Sequence, residues 1–136
     1  MVKQILLPFD GSHASYSAFD AVLGLARRCK AEFNVVCSRP LPEVADRVEA
    51  QVDPRRESQE GLLRGLNLRG ARHAVQPSTE LLAGQASDQI LRYAESVAAD
   101  LIVLGHCDRG PLERWRPGLV THRIISYAKC AVLVVR

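Results

Sequence analysis

The chain has 136 residues, 47% of them hydrophobic and 24% charged, with a net charge of +3. That size supports one domain, residues 1–136, whose core needs no disulfide or metal staple. No apolar segment approaches the roughly 18–20 residues that span a bilayer, and basic and acidic residues are intermixed. The only Arg-Arg pairs are Arg27–Arg28 and Arg55–Arg56, without the charge concentration or interleaved aromatics of a nucleic-acid binder, so no membrane role is expected and nucleic acid is an unlikely partner.

Gln4–Phe9 (QILLPF) is nearly all apolar and reads as a strand, with Pro8 near its end, where a missing N–H is tolerated. Asp10, Gly11 and Ser12 make a tight turn, and Ser12 is placed to cap the helix that follows. That helix runs to about Cys29, with Ala18, Ala21, Val22, Leu25 and Cys29 on one face. Asp10 has two readings: its carboxylate bonds nearby backbone amides in the turn, or it contacts a ligand at the strand's carboxyl end.

Phe33–Cys37 is a second short strand. Across residues 43–69, Val44, Val48, Val52, Leu62, Leu63 and Leu66 have helical spacing, interrupted by Pro54 and weakened by Gly61 and Gly65. This predicts either one helix that starts late or two pieces. Gly70 should end it, with Ala71–Gln76 and Ser78–Ala83 extended on either side of Pro77 and closed by Gly84. Gln85–Ala98 then reads as a helix with Ala86, Ile90, Ala94 and Val97 inward.

Leu101–Leu104 is an unbroken apolar run ended by Gly105, the pattern of a strand covered on both faces. A loop over residues 106–117 leads into a helix from Gly118, where Val120, Ile124 and Ala128 fall four apart, and Ala131–Val135 is the last strand. Strict alternation of strand and helix predicts an α/β fold: a five-stranded parallel sheet, doubly wound through right-handed crossovers. In such sheets a loop at the carboxyl end of a buried strand is where ligands bind.

Cys29, Cys37, Cys107 and Cys130 form no C-x-x-C pair, and most sit in or beside apolar runs, as reduced cysteines do. Met1-Val-Lys-Gln enters the first strand without the apolar stretch of a signal peptide. Both observations lead us to expect a cytoplasmic protein. Gly105-x4-Gly110 has the glycine spacing of a Walker A loop but continues Pro111-Leu112, so the phosphate lysine and the magnesium hydroxyl are missing. His106, Cys107 and Asp108 are adjacent loop residues without a second ligand cluster of zinc spacing, and no metal is expected. Cys107 reads as an ordinary cysteine rather than a reactive thiol, Ser12 as a cap rather than a nucleophile, and Trp115 as a lid, a partner contact or a packing residue.

Together, Ile5–Ser12 (ILLPFDGS), Asp100–Gly105 (DLIVLG) and Ile124–Val135 (IISYAKCAVLVV) make the chain resemble the universal stress protein family over its whole length. The resemblance implies a Rossmann-like, adenine-nucleotide-alpha-hydrolase-like three-layer sandwich that forms homodimers. One branch of that family binds ATP through Gly, two residues, Gly, nine residues, Gly, then Ser or Thr. Laid over this chain, those positions are Gly105, Asp108, Gly118 and Leu119. The same resemblance carries Pro8 and Asp10 beside the adenine and brings Ser38 near it; Arg109 and Val120 complete the candidate ligand-binding set.

The departures have physical content. Glycines let backbone N–H groups approach phosphate oxygens, and Asp108 instead brings a Cβ and a negative charge. Two like unit charges 4 Å apart repel by about 1 kcal/mol in water and about 4 at an effective dielectric of 20. Leu119 removes a hydrogen bond to a charged group, worth roughly 1.5–3 kcal/mol. Against this stand His106, Arg109, Arg114, Arg116, His122 and Arg123, which either hold phosphate or form a solvated loop and helix face. The expectation is a stress-response binding or signalling module, more a binder than an enzyme, whose adenine nucleotide (ATP or AMP) is bound weakly if at all. The alternative is a nucleotide-regulated switch or slow ATP hydrolase built on Asp10, Gly105, Gly118 and the arginines. At a sheet edge, the apolar strand Ala131–Val135 would pair with its copy about a two-fold axis.

Overall fold

The computed structural model describes residues 1–39, 54–106 and 115–136, with side chains for all of these except 39, 54–57 and 115–119. Strands and helices alternate: β1 (Gln4–Pro8), α1 (His13–Cys29), β2 (Glu32–Arg39), α2 (Pro54–Ala71), β3 (Ser78–Ala83), α3 (Ala86–Ser96), β4 (Leu101–Gly105), α4 (Trp115–Tyr127) and β5 (Ala131–Val135). All four strand pairings are parallel, in the order β3-β2-β1-β4-β5. This is the doubly wound sheet that the alternation predicts.

Side-chain alternation along the buried strands divides the core into two layers. Ile5, Leu7, Phe33, Val35, Leu101 and Val103 face α1 and α2, where they pack with Phe19, Val22, Leu63 and Leu66. Leu6, Val36, Ile102 and Leu104 face the other way, against Ile90 and Ala94 of α3 and Ile124 of α4. Asp100 ties the lower ends of β1 and β4 together, its Oδ2 accepting from the backbone N–H groups of Lys3 (2.7 Å) and Gln4 (2.9 Å).

The structure settles the open reading of α2 as the late-starting helix, and it corrects the start of α4 and the segment after α2. Proline interrupts a helix only in its interior; at the first position its fixed φ is favourable. Accordingly α2 is one helix that starts at Pro54, and the apolar positions Val44, Val48 and Val52 lie outside the described residues. Proline is tolerated for the same reason in the first turn of α4, which begins at Trp115 rather than Gly118. Ala71–Gln76, which reads as extended in the sequence, forms no strand. Ala71 closes α2, and the chain turns back with the Gly70 carbonyl accepting from both His73 and Val75 at 2.9 Å. Ala74 takes a left-handed φ of 57°. A Cβ at position 70 would stand 2.6 Å from the Val75 carbonyl oxygen, so Gly70 permits the turn by close backbone approach.

Candidate functional site

The strand order reverses at β1, whose neighbours β2 and β4 lead to opposite halves of the sheet. Open α/β sheets bind ligands in the crevice at such a switch point. Here the crevice has a visible cause. The β1–β4 ladder covers Ile5 and Leu6 only, whereas β4 stays paired with β5 through Gly105. The Phe9 N–H donates to the Val36 carbonyl on β2 (2.8 Å). By the alternation of a strand, the nitrogen of Pro8 therefore turns toward β4, with no hydrogen to give. Pro8 thus ends a central strand on the side where the crevice opens.

Beyond Pro8 the chain forms the Asp10-Gly11-Ser12 turn. Asp10 Oδ1 accepts from the Ser12 N–H (2.9 Å), and Ser12 Oγ accepts from the Ser15 N–H (3.2 Å). Gly11 takes a φ of 82°, a left-handed conformation natural to glycine. The turn reading of Asp10 is thus realised, and the exposed carboxylate stands at the N-terminus of α1. Below it, the buried Cys37 thiol donates to the Phe9 carbonyl (2.9 Å). Burial pushes its pKa up to about 11, and the negative charge of Asp10 adds to the shift. Cys37 is therefore a neutral, packed thiol.

Gly105 ends β4 against the first turn of α1, where a Cβ would meet the Ala14 carbonyl oxygen at 2.4 Å and the Ser15 nitrogen at 2.9 Å. The fold thus demands a glycine here on packing grounds alone. Half-buried Ser38 lies at the carboxyl end of β2, opposite Leu82 of β3. Its carbonyl accepts from Gln59 Nε2 on α2 (3.4 Å). One turn further along α2, Leu62 Cδ1 lies 3.1 Å from where a Gly11 Cβ would be. The first turns of α2 therefore lie across the ends of β1 and β2. Nothing in the irregular 43–69 sequence pattern marks Gln59 out.

Pro8, Asp10, Ser38 and Gly105 are thus gathered at the carboxyl ends of three adjacent strands. Val120 is half-buried and packs on the α3–α4 side of the core; hydrophobic packing accounts for its place. Asp108 and Arg109 lie outside the described residues. So do Cys107 and Arg114, and of the His106, Cys107, Asp108 trio only His106 is described. Gly118 and Leu119 fall in the first turns of α4, their side chains outside the description, as are those of Trp115 and Arg116. Half-buried Arg123 is committed to α3: its Nη2 donates to Asp88 Oδ1 at 3.3 Å. The Gln85 amide, oriented to satisfy both neighbours, donates to Asp88 and accepts from Arg123 Nη1. This bridge between helices is a partner for Arg123 within the fold.

The family model described as "Universal stress protein family" matches residues 1–136. A universal stress protein of Methanocaldococcus jannaschii is 32% identical over 142 residues, which cover 100% of this chain and 83% of that one. Among solved structures, the universal stress protein UspA from Lactobacillus plantarum matches with a TM-score of 0.85 at 25% identity, over 99% of this chain and 98% of that one. The universal stress protein from Archaeoglobus fulgidus in complex with dAMP matches at TM-score 0.77 and 20% identity, with 100% of each chain covered. The sheet is accordingly the Rossmann-like, adenine-nucleotide-alpha-hydrolase-like three-layer sandwich that the sequence resemblance implies.

Proposed function

The chain belongs to the universal stress protein family, and from that premise we propose that it is a stress-response binding module whose crevice takes an adenine nucleotide weakly. A monophosphate binds there in preference to a triphosphate. What carries the reading is the crevice itself. The β1 and β4 ladders part after Leu6, and Pro8, Asp10, Ser38 and the capped start of α1 line the opening. A related fold holds dAMP. The base end of such a site needs a wall and polar atoms at the strand ends, and this chain supplies both. The phosphate end departs from the ATP-binding pattern at Asp108 and Leu119, where charge and a missing hydroxyl oppose a triphosphate.

The proposed protein acts as a cytoplasmic homodimer, paired through β5. In support, β5 is an edge strand of the sheet, and Leu133 on it is 45% exposed. Edge strands of this kind invite pairing. Among the described residues no helix is long and apolar enough to cross a membrane.

The test is calorimetric titration of the purified chain with AMP and ATP, repeated on Asp108→Gly with Leu119→Ser. The expected result is weak binding of AMP, weaker binding of ATP, and a gain of at least about ten-fold for ATP in the double variant. Tight ATP binding by the unaltered chain would overturn the preference for a monophosphate. Absence of any nucleotide binding would overturn the site.

A further inference from the structure

We propose that the groove between α1 and α2 binds a compact phosphate-type anion of two or more charges, held by Arg27 and Arg72 and separate from the strand-end crevice. The groove has a volume of about 510 Å³, and its lining includes Asp20, Gly24 and Arg27 of α1, Arg69 of α2, and Arg72 and His73 just beyond that helix. A space of this size suits a small ligand. Its charges are not balanced from within. Asp20 is the one acid in the lining, and it is already taken. Arg69 grips it with two parallel hydrogen bonds, Nε to Oδ1 at 2.9 Å and Nη2 to Oδ2 at 2.6 Å. The same guanidinium lies over the Tyr16 ring, 5.5 Å from its centroid. Among the described residues Arg27 and Arg72 make no side-chain hydrogen bond or ion pair, so their two positive charges line the groove uncompensated.

Cations in the last turn of a helix offset its dipole, and Arg27 and Arg69 occupy such positions. That role is met from any side of a helix, so it does not account for their convergence on one groove. Nor does it account for Gly24. Glycine weakens a helix interior relative to alanine, and a Cβ at position 24 would meet nothing within 4 Å. Packing therefore places no demand for glycine there, and its effect is to keep the groove open beside Arg27. Guanidinium groups take phosphate oxygens in paired hydrogen bonds. Two uncompensated ones match two negative charges, which a single carboxylate cannot supply. A long nucleic acid would call for an extended basic stripe, whereas this chain intermixes its charges and carries a net +3. The site is also remote from the crevice. α1 starts at the crevice with Ser12, and at about 1.5 Å per residue Arg27 stands roughly 20 Å along the helix from that end.

The experiment titrates the full chain with inorganic pyrophosphate by calorimetry. It is repeated on Arg27→Gln with Arg72→Gln and, separately, on Gly24→Leu, which favours the helix while filling the groove. The unaltered chain should bind pyrophosphate saturably, and each variant should bind it at least about ten-fold more weakly. Gly24→Leu should at the same time be no less stable to urea than the unaltered chain, because nothing is displaced by the new side chain. Absence of saturable binding by the unaltered chain overturns the site. So does affinity that both variants retain, which would place the anion elsewhere on the molecule. A duplex oligonucleotide that displaces pyrophosphate and binds more tightly would give the groove to nucleic acid and overturn the choice of a compact anion. Should either variant fail to fold by circular dichroism, the other decides on the same criterion.

Discussion

The backbone of Gly105 lies directly on that of Ala14: a Cβ at position 105 would sit 2.4 Å from the Ala14 carbonyl oxygen and 2.5 Å from its carbon. The neighbouring atoms are main chain, at the start of a helix anchored by the Ser12 cap, so they cannot move aside as a flexible side chain would. One glycine of the nucleotide pattern is therefore held in place by packing between β4 and α1. Its presence says little about phosphate. This resolves how the chain keeps Gly105 while carrying Asp108 and Leu119 where the ATP-binding branch has glycine and a hydroxyl.

Gly105→Ala should consequently destabilise the fold by about 1–3 kcal/mol, the range for overpacking a filled space. Ala14→Gly should not restore it, because the clash is with backbone. Urea denaturation of the single and double variants measures both; an unchanged midpoint in Gly105→Ala would refute the packing role.

Asp100 accepts from two backbone N–H groups at the start of β1, and these bonds hold its carboxyl below the ordinary carboxylate range. A depressed folded pKa contributes stability that is present above the unfolded value and lost as pH falls through the folded one. The stability advantage of the unaltered chain over Asp100→Ala should therefore be constant near neutrality. It should shrink once the pH drops below about 4, the value of a free Asp. Thermal melts of the two chains from neutral to acid pH test this; a difference independent of pH would show that the carboxylate's charge is irrelevant.

Cys37 behaves in the opposite sense. Its thiol is 1% exposed, and its pKa rises from 9.0 to about 11 with burial and the charge of Asp10. A raised folded value for an acid means that the neutral form is favoured by folding. Its contribution is complete below pH 9.0 and declines as the pH climbs toward about 11. Cys37→Ser, which keeps a donor for the Phe9 carbonyl, should lose less stability over that alkaline range. Native alkylation followed by peptide mapping should leave Cys37 unmodified while the half-buried Cys29 and Cys130 react first.

Leu133 tests the proposed pairing of β5. Leu133→Glu places one carboxylate per chain on the exposed apolar edge, where two-fold pairing brings like charges together. Light scattering after size exclusion should show a shift from dimer toward monomer, with the far-ultraviolet spectrum unchanged. A chain that is monomeric before substitution would remove β5 pairing from the proposal.

Much of the architecture was legible because it is written in local chemistry. Leu101–Leu104 is apolar without a break since both faces are covered; Ser12 can cap α1 because its hydroxyl sits three residues from an unpaired N–H; and strand-helix alternation admits few topologies. The errors were local too. Ala71–Gln76 has the composition of an extended segment, and only the approach of Val75 and Pro77 to Gly70 reveals the turn. Pro54 looked like an interruption until its place as a first helical residue made it a beginning.

The sequence by itself determined that the chain is an α/β domain of the universal stress protein type, and it marked out candidate residues at the ends of its first and fourth strands. These features depend on periodicity and on residues close together in the chain. Only the tertiary structure decided that Gly105 answers to Ala14, that Arg123 answers to Asp88, and that Gln59 leaves a buried acceptor beside Ser38. Each is a contact across many residues of chain, set by how helices settle on the sheet, and no spacing rule along the sequence encodes that distance.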